Sequence, residues 1–166
     1  AGKTKNSMCI GCHGITGYKT SFPTVYQVPM IKGQSAKYIE SALQAFGHVD
    51  ILINNAGWTR AESIADIDAV KITHEIELNL TGVARFTEPV CKAMAARASG
   101  SIVFVSSVNA LAHFGNPAYA AAKAGINAYA KAIAVELGRK GVRANVVCPG
   151  SIRTAAWDHR LERDPD

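Results

Sequence analysis

Val49-Asp-Ile-Leu-Ile53 followed by Asn54-Asn55-Ala56-Gly57 decides the fold: a short apolar run stops on a polar, glycine-ended turn. Five residues of this kind read as a buried strand, and the turn marks its carboxyl end. Downstream, apolar positions recur at helical spacing from about Asp66 to Arg97, through Ile67, Val70, Ile76, Leu80, Val83 and Phe86. Gly100 breaks that pattern and Ser101 to Val105 form a second apolar strand. A loop rich in Gly, Asn and Pro leads to a helix from about Tyr119 to Arg139, and Ala144 to Val147 make a third strand before Pro149-Gly150. Strand, helix, strand, helix, strand implies right-handed crossovers and a parallel, partial Rossmann-like α/β sheet of three strands covered by helices.

Upstream of Gly47 the chain reads differently. Residues 1–33 show no sustained period, and a short amphipathic helix capped by Ser35 carries Tyr38, Ile39, Ala42, Leu43 and Phe46 on one side. Residues 1–45 hold five Lys, no Arg and one acid, Glu40, whereas the rest holds eight Arg, five Lys and twelve acids. That shift divides the chain into segments 1–46 and 47–166, with the join near Phe46-Gly47. No dense basic run interleaves with aromatics, which argues against nucleic acid, and no apolar stretch approaches the roughly 20 residues of a membrane span. The opening Ala1-Gly2-Lys3 is polar and does not read as a signal peptide. The basic N-terminal segment reads as a solvated face or as a docking patch for an acidic redox partner.

Tyr119 and Lys123 stand four residues apart, so both project from one helix face. An ammonium beside a phenol favours the phenolate, and a phenol so poised can exchange a proton with a carbonyl or carbinol oxygen. Ser107 ends the preceding strand, and Asn55, Ser107 and Pro149-Gly150 all fall at the carboxyl edge of the expected sheet, where ligands gather in open parallel sheets. By itself a Tyr–Lys pair at this spacing is usually a solvated helix pair.

Five ordered motifs change that weighting. They are Asn54-Asn55-Ala56-Gly57, Asn79 in Leu78-Asn79-Leu80-Thr81-Gly82, Ser106-Ser107, Tyr119-Ala-Ala-Ala-Lys123, and Pro149-Gly150-Ser151-Ile152-Arg153-Thr154. In them residues 47–166 resemble the short-chain dehydrogenase/reductase family. The resemblance implies hydride transfer between NAD or NADP and a small secondary alcohol or ketone, with Tyr119 as general acid/base. It implies Lys123 binding the nicotinamide ribose and lowering the Tyr119 pKa, Ser107 polarising the substrate oxygen, and Asn79 holding a relay water. Asn55, Ala56, Gly57, Pro149, Gly150, Ile152 and Thr154 would line the cofactor. The family often places the Ser thirteen residues before the Tyr, which selects Ser106; strand alignment favours Ser107. The family's phosphate-binding strand and Gly-rich turn are not recognisable in residues 1–46, so impaired turnover and an open sheet edge at Val49–Ile53 are expected. The two long helices form the family's usual subunit interface, so a homo-oligomer is expected.

Cys9-Ile-Gly-Cys12-His13 brings two thiols and an imidazole to the spacing of a haem c attachment site. A zinc half-site would want a second close ligand pair, which the isolated Cys91 and Cys148 do not supply, and a thiol–disulfide pair would want a βα context. Cys9 to Phe46 resembles the N-terminal part of small bacterial class I c-type cytochromes, through Cys-Ile-Gly-Cys-His-Gly14, Phe22-Pro23, Val28-Pro29, Gly33-Gln34 and the helix after Ser35. That implies thioethers at Cys9 and Cys12 and iron ligation by His13. Met30 does not match the distal ligand, leaving His48 as a candidate. The chain as a whole is therefore expected to be a chimera, and the halves argue for opposite compartments, periplasm and cytoplasm.

Overall fold

The computed structural model describes residues 19–20, 26–27, 47–60, 63–112 and 114–152. Strands β1 (Lys19–Thr20) and β2 (Tyr26–Gln27) form a short antiparallel pair. The rest of the N-terminal segment, with Cys9, Cys12 and His13, lies outside the described residues, as do Thr154 and the residues after it.

Strands β3 (Ile51–Asn54), β4 (Gly100–Val105) and β5 (Val142–Val147) form a parallel sheet in the order β3-β4-β5. Leu52 pairs with Ile102, which pairs with Ala144, and Val105 pairs with Val147. Parallel neighbours need a crossover, and both are helical. The first comprises α1 (Ala69–Ile76) and α2 (Gly82–Ala96), and the second is α3 (Pro117–Leu137). Because side chains alternate along a strand, the register places Leu52, Ile102, Phe104 and Val142 on one sheet face. There they form one core with Val90 and Met94 of α2 and with Ile126, Ala130 and Ile133 of α3. The opposite face carries Ile51 and Val147, 44% and 52% exposed. The described helices thus cover one face of the sheet, where the sequence pattern suggested cover without distinguishing faces.

The single long helix expected from 66 to 97 is interrupted. Between α1 and α2 the backbone widens into a π-helical turn, Glu77–Thr81, in which the Gly82 N–H reaches back to the Glu77 carbonyl. The cause is Asn79, wholly buried, whose side-chain amide donates to the Glu75 carbonyl at 3.0 Å. In an unbroken α-helix that carbonyl would take the Asn79 backbone N–H, and a competing side-chain donor forces the ladder to step outward.

The end of α2 is equally specific. Ala98 adopts a left-handed conformation (φ 55°), and the Ser99 N–H reaches the Met94 carbonyl at 3.2 Å. This closes the helix as a glycine would, but with a Cβ at the costly position. Gly100 then lies so close to Met94 that an added Cβ would fall 2.3 Å from its Sδ. Gly141 (φ +72°) allows the chain to enter β5 against this turn, since a Cβ there would stand 2.1 Å from the Ala98 oxygen.

Candidate active site

The carboxyl ends of β3, β4 and β5 share one edge of the sheet, and the proposed chemical groups converge there from four elements. From β4 come two serines with different partners. Ser106 is buried and its hydroxyl donates to the Lys123 carbonyl at 3.0 Å, tying the strand end to α3. Ser107 instead accepts the Asn109 N–H at 3.1 Å and stands near enough to the Tyr119 hydroxyl to favour its ionisation. The geometry places Ser107, not Ser106, beside the phenol.

Helix α3 begins at Asn116, whose side-chain oxygen accepts the Tyr119 N–H at 3.1 Å, with Pro117 at the first helical position. An N-capping Asn followed by Pro is a strong start signal, because Pro has no N–H to leave unpaired. The cap fixes the turn that carries Tyr119. One turn later Lys123 is 4% exposed, and its Nζ donates to the Val105 carbonyl at 2.9 Å. The same Nζ lies 5.5 Å from the Tyr119 ring centroid, within cation–π range.

Burial acts on both groups. It pulls the Lys123 ammonium from 10.5 down to about 8. It also pushes the Tyr119 phenol above its ordinary 10.0, with the Ser107 hydroxyl acting downward and the Glu75 charge acting upward. The expected lowering of Tyr119 by Lys123 is therefore not what the protein shows. Burial disfavours the ammonium, which is committed to the Val105 carbonyl and lies toward the ring.

Asn79 enters from the π turn. Its amide donates to the Trp58 carbonyl at 2.8 Å and to Glu75 Oε2 at 3.2 Å, and its oxygen accepts the Trp58 N–H at 3.2 Å. The turn after β3 runs past this cluster with Asn55, Ala56 and Gly57 exposed. A Cβ on Gly57 would meet Asn79 Oδ1 at 2.9 Å and Lys123 Nζ at 3.1 Å. Gly57 thus packs so closely against Asn79 and Lys123 that a larger residue would crowd both side chains. At the β5 end, the Pro149 carbonyl accepts the Val108 N–H at 3.0 Å, while Gly150 and Ile152 are exposed on the same edge. Thr154 lies outside the described residues.

Three contributors escaped the sequence reading. Glu75 is 4% exposed and accepts from the Arg60 N–H at 2.9 Å and the Thr59 hydroxyl at 3.2 Å. Thr59 in turn accepts from the Asn116 side chain. The Asn116-Pro117 pair was a readable cap signal, whereas nothing in the helical pattern separates Glu75 from a solvated acid. Among the described residues no group of three or more His, Cys, Asp or Glu could hold a metal ion, and no helix is long and apolar enough to cross a membrane.

The chain is similar in sequence and fold to known proteins. The family model described as short chain dehydrogenase matches residues 24–165. An uncharacterized oxidoreductase of Schizosaccharomyces pombe is 40% identical over 129 residues, which cover 77% of this chain and 50% of that protein. A crystal structure of a short chain dehydrogenase/reductase family oxidoreductase from Burkholderia thailandensis superposes with a TM-score of 0.75 at 41% identity, over 82% of this chain and 53% of that one. ElxO with NADP bound superposes with a TM-score of 0.74 at 26% identity, over 78% of this chain and 53% of that one. The chain spans about half the length of the curated relatives it matches.

Proposed function

Since the chain belongs to the short-chain dehydrogenase family of oxidoreductases, we propose that its edge of converging residues performs the proton half of NAD(P)-linked interconversion of a ketone and a secondary alcohol. The observation that carries this is the grouping of Ser107, Tyr119, Lys123 and Asn79 at one end of the parallel sheet.

In the reducing direction Tyr119, a phenol that burial makes still harder to ionise, donates its phenolic proton to the substrate oxygen. Ser107 then stabilises the phenolate left behind, since a hydrogen bond to the charged form favours it. Lys123 makes one hydrogen bond among the described residues, to Val105, so two of its three N–H donors remain for other acceptors. Those donors would hold a sugar hydroxyl, and Asn55, Ala56, Gly57, Lys123, Pro149, Gly150, Ile152 and Thr154 would hold the nicotinamide end of NAD or NADP. When bound, the nicotinamide supplies or accepts the hydride. Asn79, its oxygen beside Gly57, would hold the water that returns a proton to Tyr119. The described residues contain no glycine-rich phosphate turn leading into a helix, so weak dinucleotide affinity is expected of them.

The test is NAD(P)H-dependent reduction of a ketone panel by the full chain and by Tyr119→Phe. The substitution is expected to lower kcat/KM by about 10²- to 10⁴-fold, the range for losing a positioned general acid, while the fold persists. Equal rates in both proteins would sink the proposal.

A second reading concerns Cys9, Cys12 and His13, whose spacing favours covalent haem c with His13 on the iron, and electron transfer or ligand binding as the outcome. It rests on sequence alone and includes the proposed division into segments 1–46 and 47–166.

A further inference from the structure

A carboxylate that is 4% exposed needs a reason to be buried, and Glu75 has neither a cation nor solvent beside it among the described residues. It accepts three donors: the Arg60 N–H at 2.9 Å, the Thr59 hydroxyl at 3.2 Å and the Asn79 amide at 3.2 Å. Among the described residues, hydrogen bonds of this charged kind are what offsets its desolvation. Each of those donors leads to a group at the site. Asn79 packs its side-chain oxygen against Gly57, beside Lys123. Thr59 accepts from Asn116, which caps the Tyr119 N–H. Arg60 and Trp58 belong to the turn after β3, and Trp58 is clasped by Asn79 through both its N–H and its carbonyl.

We propose that Glu75 is a positioning residue of this site: through Asn79 it sets the amide above Gly57, and through Thr59 and Asn116 it sets the first turn of the helix that carries Tyr119. Its catalytic meaning rests on the dehydrogenase reading, but the network itself does not.

One buried charge thereby ties three chain segments, the turn after β3, helix α1 and the start of α3, which hold the acid/base group and its relay partner. The carboxylate also imposes a sign. Of the described charged groups that bear on Tyr119, Glu75 on α1 opposes ionisation, and Lys123 on α3 lies toward the ring. Arg60 is turned away over the Trp58 ring, 5.8 Å from its centroid. Glu75 thus opposes loss of the Tyr119 proton.

Two readouts that need no turnover test this on the full chain. In the first, tyrosine labelled with ¹³C at Cζ is titrated by NMR, with Tyr119→Phe identifying the signal. Glu75→Gln keeps the side-chain shape and an acceptor oxygen, so the Tyr119 midpoint is expected to move to lower pH; an unchanged or higher midpoint overturns the proposal. In the second, Thr59→Val breaks the link to Asn116 without touching any charge, and amide exchange at Tyr119 is expected to accelerate severalfold. Unaltered exchange there overturns it, and this variant decides the matter even if Glu75→Gln does not fold. Where ketone reduction is measurable, the high-pH limb of kcat/KM should move to lower pH in Glu75→Gln as well. Absent reduction with both NMR effects present would count against the dehydrogenase reading alone.

Discussion

Ser106 and Ser107 are adjacent, chemically identical and opposite in use. Ser106 spends its hydroxyl on the Lys123 carbonyl in the interior, so Ser106→Ala should lower stability by about 1 kcal/mol in denaturant titration, the usual worth of such a bond, with little change in turnover. Ser107→Ala should depress ketone reduction, and it should also cost some stability through the lost Asn109 N–H bond. Tyr–Lys spacing, the Asn-Ala-Gly turn and the serine pair were legible because they are fixed local strings. What the string could not carry was the direction of each pKa, which depends on how much water burial removes. Lys123 shows this in its pH dependence. Its folded-state value of about 8 lies below the unfolded 10.5, so folding excludes a proton in that window and stability should rise from pH 8 to 10.5. Tyr119, raised above 10.0, contributes the other way and loses stability as pH climbs past its ordinary value. Comparing the slope of unfolding free energy against pH in the native chain and in Lys123→Met isolates the lysine: the variant should lack the rise.

At the level of elements, the three strands of the parallel sheet and its helical crossovers could be anticipated from periodicity, because apolar strands and amphipathic crossovers leave a plain pattern. The π turn could not. It depends on whether the Asn79 amide turns inward to the Glu75 carbonyl or outward to water, and helical spacing is blind to that choice. The end of α2 is a similar case, where Gly100 marks the break but Ala98 bears the left-handed conformation. Replacing Ala98 by Gly removes the Cβ from that position and should stabilise the fold by about 1 kcal/mol, read as a higher midpoint in thermal or denaturant unfolding. A midpoint that falls would mean the backbone freedom glycine adds to the unfolded chain outweighs the relief.

For the molecule as a whole, the half built around β3, β4 and β5 has a family, a fold and a coherent site, while the haem motif has spacing only. Whole-chain mass spectrometry after expression with haem c maturation machinery bears on the second directly. If Cys9 and Cys12 react, the denatured 17.6 kDa chain gains the mass of one haem and the protein shows a Soret band; an unadorned chain leaves those residues without that role. The core carries a further consequence through Met94, which is completely buried with its sulfur against the Gly100 backbone. A sulfoxide there would set a polar oxygen into this packed interior and weaken the closed protein. Peroxide can reach that sulfur only while the interior is open, and a chain oxidised at that moment closes less firmly around the product. Each excursion under oxidant becomes a one-way ratchet, and Met94 serves as the protein's clock of how often its interior is breached.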